Sequence, residues 1–277
     1  MADQETVLRL EAQAKEVRKE ILTMIHAAQS GHPGGSLSAT DMMTALYFDE
    51  LNIDPQNPKW EDRDRFVLSK GHVCPVLYTC LALKGYFPKE VLATLRKEGS
   101  ILQGHPDMKR CPGVDISTGS LGQGLSVAVG MALAGKRDGK NYRVFSMVGD
   151  GESDEGQIWE AVETAAKYDL DNLVIFLDRN RLQNDGTCAE VMPNGDLVAK
   201  FTAFGCQTWE IDGHNMNEIL DALEAVRADQ SGKPKCIVAH TVKGKGVSFM
   251  ENVVQWHGMA PSDEQYAQAM KDIEEGF

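Results

Sequence analysis

Between residues 6 and 29 the apolar positions Leu10, Ala14, Val17, Ile21, Met24 and Ala28 recur at steps of three and four, which puts them on one face of a long helix. Gly31 is expected to end it. Ser38-Ala-Thr-Asp41 reads as an N-cap opening a second helix through about Leu51. The pattern then changes to a repeating unit: a short apolar run with β-branched residues, a polar or Gly-rich loop, and a helical stretch. The runs lie at 66–68, 143–148, 173–177, 206–211 and 236–241, and the helical stretches at 73–85, 122–138, 156–169, 196–204 and 215–228.

Strands alternating with helices predict an α/β fold with a mainly parallel sheet, because parallel neighbours need crossovers and helices supply them. With no internal repeat or linker-like tract, residues 1–277 are expected to form a single three-layer domain, with 1–60 as a helical N-terminal segment. The runs are followed by Ser69-Lys70-Gly71-His72, Gly149-Asp150-Gly151, Asp178-Arg179-Asn180, Asp212-Gly213-His214 and Lys243-Gly244-Lys245-Gly246. The carboxyl ends of parallel strands form the binding edge of such a sheet, so these glycines, histidines and carboxylates are predicted to share one rim.

Composition narrows the function. The chain is 42% hydrophobic and 25% charged, which fits a soluble globular protein, and its net charge of −13, spread along the chain, argues against a nucleic-acid partner. An anionic ligand therefore needs local cations or backbone amides. The six cysteines form no C-x-x-C pair and lie in apolar runs, which predicts buried free thiols in a reducing compartment. The N-terminal residues do not read as a signal peptide and no apolar run is long enough to span a bilayer, so no membrane partner is expected and the cytoplasm is the expected location.

Gly149-Asp150-Gly151 and Asn180 place two hard oxygen ligands on neighbouring strand ends, which suits Mg²⁺ or Ca²⁺ gripping phosphate oxygens; a capping Asp and a turn Asn are the structural alternative. Gly119-Ser120-Leu121-Gly122-Gln123-Gly124 is spaced G-x-x-G-x-G rather than G-x-G-x-x-G, which disfavours a nicotinamide dinucleotide. It leaves either a diphosphate-binding loop at a helix N-terminus or a close-packed turn. His32, His72, His105 and His257 sit beside glycine or proline without zinc-site spacing, and read either as structural residues or as a polar pocket that handles protons and hydroxyls. Neither a G-x-S-x-G elbow nor a Walker loop occurs. By spacing alone, this is a metal-diphosphate cofactor enzyme of unspecified kind.

Ser30-Gly-His-Pro-Gly34, Asp64-Arg-Phe-Val-Leu-Ser-Lys-Gly-His72, Gly104-His-Pro106, Thr118-Gly-Ser-Leu-Gly-Gln-Gly124, Gly149-Asp-Gly151 with Asn180, and Trp256-His-Gly258 together resemble the thiamine-diphosphate-binding N-terminal domain of transketolases, from about residue 10 to about 265. The resemblance implies that Asp150, Asn180 and the carbonyl of Leu182 hold Mg²⁺ (or Ca²⁺). It implies that Lys70, His72, Gly119, Ser120, Leu121, Gly151, Asn180, Lys243 and His257 contact thiamine diphosphate, and that His32, His72, His105 and His257 are catalytic, facing the thiazolium and substrate. Lys70 and Lys243 would be the local cations. The Gly34-Gly35 pair departs from some family members, which leaves open what else that loop contacts.

Full transketolases continue into a pyrimidine-binding domain and a C-terminal domain, and a chain ending at Phe277 is expected to be the N-terminal subunit of a split enzyme. The implied reaction transfers a two-carbon ketol unit from a ketose (phosphate) to an aldose (phosphate), with a separate C-terminal subunit carrying the pyrimidine domain. A dimer of heterodimers is expected, with Glu155 and Glu160 near a contact between cofactor-binding subunits. The alternatives are the α chain of a 2-oxo acid dehydrogenase first component, or a non-catalytic binding partner.

Overall fold

Five strands run parallel in one sheet in the computed structural model, which describes residues 3–276, so the outermost ends of the expected 1–277 domain lie outside the described residues. They are β1 (Arg65–Leu68), β2 (Val144–Gly149), β3 (Leu173–Arg179), β4 (Gln207–Asp212) and β5 (Lys235–His240), in the spatial order β1-β2-β3-β5-β4. The five predicted runs match them to within one or two residues at each end. Register decides what meets at the rim: Gly149 lies opposite Asp178, and Arg179 and Asp212 both lie opposite His240.

The helices are α1 (Gln4–Ala28), α2 (Pro33–Ser38), α3 (Thr40–Ala45), α4 (Cys74–Lys84), α5 (Gln123–Arg137), α6 (Gly156–Lys167), α7 (Cys188–Val191), α8 (Leu197–Ala203), α9 (Met216–Ala228) and α10 (Asp263–Glu275). They cover both faces of the sheet. Phe145, Met147, Val174, Phe176 and Ile237 pack with α1, α3, α4 and α9 on one side, while Val144, Val148, Ile175, Leu177 and Val238 pack with α5, α6 and α8 on the other. Burial on both faces explains why these strands read as unbroken apolar runs. Each fully buried Leu, Ile or Phe contributes about 1.5–3 kcal/mol.

Two expectations about the N-terminal segment are corrected. Helix α1 stops at Ala28, not at Gly31, because Gln29 itself takes the left-handed conformation (φ 47°), its backbone N–H and its side-chain amide both donating to His26 O. Ser38 is no N-cap: Pro33 starts a helix five residues earlier, Ser38 ends it, and Ala39 remains helical (φ −80°, ψ −9°). The Ser38 hydroxyl instead donates to Gly35 O and to the buried Asp178 carboxylate at 2.5 Å. After α3 the chain widens into a π-helical turn over Leu46–Glu50. Helices α7 and α10 were not among the predicted elements, although each carries a capping box, Thr187 with Glu190 and Ser262 with Gln265.

All six cysteines are buried free thiols, as their apolar contexts predict. No helix among the described residues is long and apolar enough to cross a membrane.

Candidate active site

The predicted rim exists. The strand-end loops enclose a pocket of about 180 Å³ bordered by Lys70, His72, Leu121, Asp150, Gly151, Asn180, Leu182, Lys243 and His257. Gly119 and Ser120 do not border it; they line a neighbouring cavity of about 100 Å³ before α5.

Asp150 leaves β2 with its carboxylate pinned by backbone donors, Gly151 N to Oδ1 at 2.8 Å and Arg181 N to Oδ2 at 2.5 Å. Asn180 turns its Oδ1 toward Leu182 N at 3.1 Å. Burial, then the neighbouring Asp178 carboxylate, push the Asp150 carboxyl up to about 6. The Asp150 carboxylate, the Asn180 carboxamide oxygen and the Leu182 carbonyl are hard neutral or anionic oxygens from two adjacent strand ends, a donor set that fits a divalent cation of the Mg²⁺ or Ca²⁺ kind. The Leu182 carbonyl already accepts from an ammonium, Lys243 Nζ, at 3.0 Å.

Lys243 uses its three N–H bonds fully, donating to Leu182 O, to Gln183 O at 3.2 Å and to His257 Nδ1 at 2.8 Å. Burial lowers it to about 8, so it remains mainly cationic at neutral pH. Because Nδ1 of His257 accepts, its proton sits on Nε2. Gly34 is required here by close approach: a Cβ on it would lie 2.8 Å from Trp256 O and 3.0 Å from the Lys243 side chain.

Lys70 differs from expectation. Its ammonium is bonded to Asp178, which also accepts from Ser38 and Thr241. Lys70 borders the pocket, but its charge is matched inside the protein, which leaves Lys243 as the cation there with no carboxylate partner among the described residues.

His32, His72 and His257 form a cluster with ring centroids 5.1, 5.4 and 5.2 Å apart. Burial holds all three below the usual imidazole range, His72 at about 2, His257 at about 3 and His32 at about 4, with nearby cations and the other rings adding to the effect. They are therefore neutral at pH 7, able to accept on one nitrogen and donate from the other. His32 Nδ1 is buried with no protein partner among the described residues. His105 is set apart: it is exposed and lies against Gly119, whose φ of +154° and closeness to the ring (an added Cβ would be 2.9 Å from Cδ2) leave no room for a side chain.

Two residues that hold the site were not singled out from sequence. Glu152, buried in the turn after Gly151, accepts from Ser69 Oγ at 2.6 Å, Gly122 N at 2.9 Å and Gly149 N at 3.1 Å, tying three loops together. Asp41 binds Arg18 through both oxygens and takes His214 Nδ1 at 2.8 Å, while His214 Nε2 accepts from Val242 N, next to Lys243. Burial raises the Asp41 carboxyl, but Arg18 and His214 overcome this and hold it at about 2. The readable signal for Glu152 was its place directly after Gly149-Asp150-Gly151; His214 stood in the predicted Asp212-Gly213-His214 rim loop, but its pairing with Asp41, 173 residues away, gave no local sign.

The family described as transketolase, thiamine diphosphate binding domain, matches residues 11–274. A 6-deoxy-6-sulfo-D-fructose transketolase subunit of Clostridium sp. (strain MSTE9) is 48% identical over 98% of both chains. An apulose-4-phosphate transketolase subunit of Phocaeicola vulgatus is 44% identical over 96% of this chain and 94% of that protein. Among solved structures, transketolase from Campylobacter jejuni superimposes with a TM-score of 0.91 at 33% identity, covering 99% of this chain and 43% of that one. The chain thus spans less than half of that solved enzyme and nearly the whole of the two subunits.

Proposed function

This chain belongs to the transketolase family through its thiamine-diphosphate-binding domain, and from that premise we propose that it works as the N-terminal subunit of a two-chain transketolase. It moves a two-carbon ketol unit from a ketose to an aldose once joined to a C-terminal subunit that carries the pyrimidine domain. The relatives are named for a sulfonated and a phosphorylated sugar, so the substrate class is a ketose with a terminal phosphate or sulfonate. The assembly is a dimer of heterodimers in the cytoplasm, with the exposed Glu155 and Glu160 near the contact between cofactor-binding subunits.

The observation that carries this reading is the convergence of an oxygen-donor set, one cation without a carboxylate partner among the described residues and the neutral imidazoles of His72 and His257 in one pocket at the sheet rim, with His32 packed edge-on against both rings. Asp150, Asn180 and the Leu182 carbonyl would hold Mg²⁺, and Lys243, Gly151, Leu121 and His257 the diphosphate. Thiamine diphosphate, when bound, supplies the carbon nucleophile and electron sink for C–C bond cleavage. The chain's own part is to bind, orient and move protons. Lys243 fixes the His257 tautomer so that Nε2–H is a donor, and His32, whose ring packs edge-on against His72 and His257, would hydrogen-bond a substrate hydroxyl or take its proton. His105, at the exposed end, meets the sugar rather than the diphosphate.

The test is reconstitution with a pyrimidine-domain subunit, thiamine diphosphate and Mg²⁺, assayed with a ketose phosphate and an aldose phosphate. Ketol transfer by the pair and none by this chain alone is expected. Full-rate transfer by the chain alone, or turnover of a 2-oxo acid in place of a ketose, would overturn the proposal.

A further inference from the structure

The segment bearing Asn180 and Leu182 is a wall with two sides. Behind it lies a second, larger cleft of about 1030 Å³, and Asp150, Asn180 and Leu182 border both spaces. That volume is at the upper end of the range for small-molecule sites.

The charge in the rear cleft runs against the −13 of the chain. Arg179, Arg181 and Lys245 border it, with His214 and His240 beside them. Lys245 is engaged by Glu251 at 3.2 Å, but neither arginine has a carboxylate partner among the described residues: Arg179 donates only to Gly195 O, at 3.1 Å, and Arg181 is exposed. The two carboxylates of the lining are already capped, Asp150 by the N–H groups of Gly151 and Arg181 and Asp212 by that of His214. His240 pairs with Glu210 through Nε2 and keeps Nδ1 buried without a partner among the described residues.

We propose that the rear cleft is a second binding site, for a small phosphate-bearing metabolite gripped by Arg179 and Arg181, and that its occupancy is coupled to the cofactor pocket through Asp150. Guanidinium forks match phosphate oxygens bidentately, and two forks without a carboxylate partner among the described residues, in one concave space, supply the grip. The coupling is short. Arg181 N donates to the Asp150 carboxylate, and Asn194, which also borders the cleft, donates from Nδ2 to Asp150 O at 3.0 Å. Arg181 holds φ at +65°, unusual for a non-glycine residue, so a ligand drawing on its side chain acts on a backbone position already away from its preferred region. Any effect of rear-site ligand on cofactor affinity must appear reciprocally. The coupling rests on the proposed role of Asp150; the binding does not.

Isothermal titration of the full chain with inorganic phosphate, at constant ionic strength and with thiamine diphosphate and Mg²⁺ saturating, tests the site. One phosphate per chain is expected, bound at least tenfold more weakly by R179Q/R181Q. No binding by the wild type, or equal binding by both, overturns it. Should the double variant fail to fold, R181Q alters an exposed side chain only and is expected to lose several-fold in phosphate affinity; undiminished affinity overturns the site. Coupling is read as thiamine diphosphate affinity by tryptophan fluorescence with and without phosphate. Competition at the cofactor pocket affects wild type and variant alike, so a several-fold phosphate effect present only in wild type supports coupling, and equal effects overturn it. Failure of thiamine diphosphate to bind at all counts against the proposed function, while the phosphate difference between wild type and variant still decides the rear site.

Discussion

Lys70, just beyond β1, and Asp178, near the end of β3, form an ion pair sealed from solvent, their side chains 3% and 0% exposed. Removing one member of such a pair leaves an uncompensated charge in a low-dielectric interior. Asp178→Ala, which strands the Lys70 ammonium, is expected to cost about 3–5 kcal/mol in urea unfolding. Lys70→Met should cost less, because Asp178 retains the Ser38 and Thr241 donors. Equal losses would show that the Ser38 and Thr241 donors do not offset the stranding of Asp178.

Ligand loading should read out as stability. Thiamine diphosphate with Mg²⁺ at a hundredfold excess over Kd is expected to stabilise the chain by about 2.7 kcal/mol, and chelation of the metal to reverse the gain. Asp150→Ala removes the carboxylate from the oxygen set and should abolish the shift; an undiminished shift would remove Asp150 from the metal site.

The histidine cluster sets a pH dependence with a definite sign. His32, His72 and His257 have folded values of about 4, 2 and 3, below the 6.5 of free imidazole. As pH falls below 6.5 the unfolded chain takes up protons that the native cluster refuses, so stability must drop, and it continues to drop until the folded values are reached. Asp150, raised from 3.8 to about 6, and Glu152, whose carboxyl burial also raises, work in the opposite direction, while His105, lowered by burial, adds to the decline. Thermal melts between pH 7.5 and 4.5 should show the decline, and His32→Gln should flatten it. A melting temperature independent of pH there would contradict the burial of the cluster.

Glu152 holds three loops together at the border of the pocket, its carboxylate taken up by Ser69, Gly122 and Gly149. Glu152→Gln leaves the geometry roughly intact but turns an amide toward a backbone N–H, which is expected to cost about 1–3 kcal/mol. In the reconstituted enzyme the apparent KM for thiamine diphosphate should rise while kcat at saturating cofactor stays near wild type. A fall in kcat alone would mean that Glu152 acts on the chemistry.

The repeating alternation of apolar runs and helices determined the sheet, its five strands and the common rim, because each strand is buried on both faces and its apolar run shows locally in the sequence. The motif residues Asp150, Asn180 and His72 were legible for the same local reason: they stand in polar or glycine-bearing turns where strands end. Tertiary structure alone decided how charges are spent. Nothing near Lys70 in sequence announces Asp178, 108 residues away, and nothing near Asp41 announces His214. Which cation stays available to a ligand, which imidazole is neutral, and that one loop walls two cavities all depend on burial and on long-range pairing, quantities that exist only once the chain is folded.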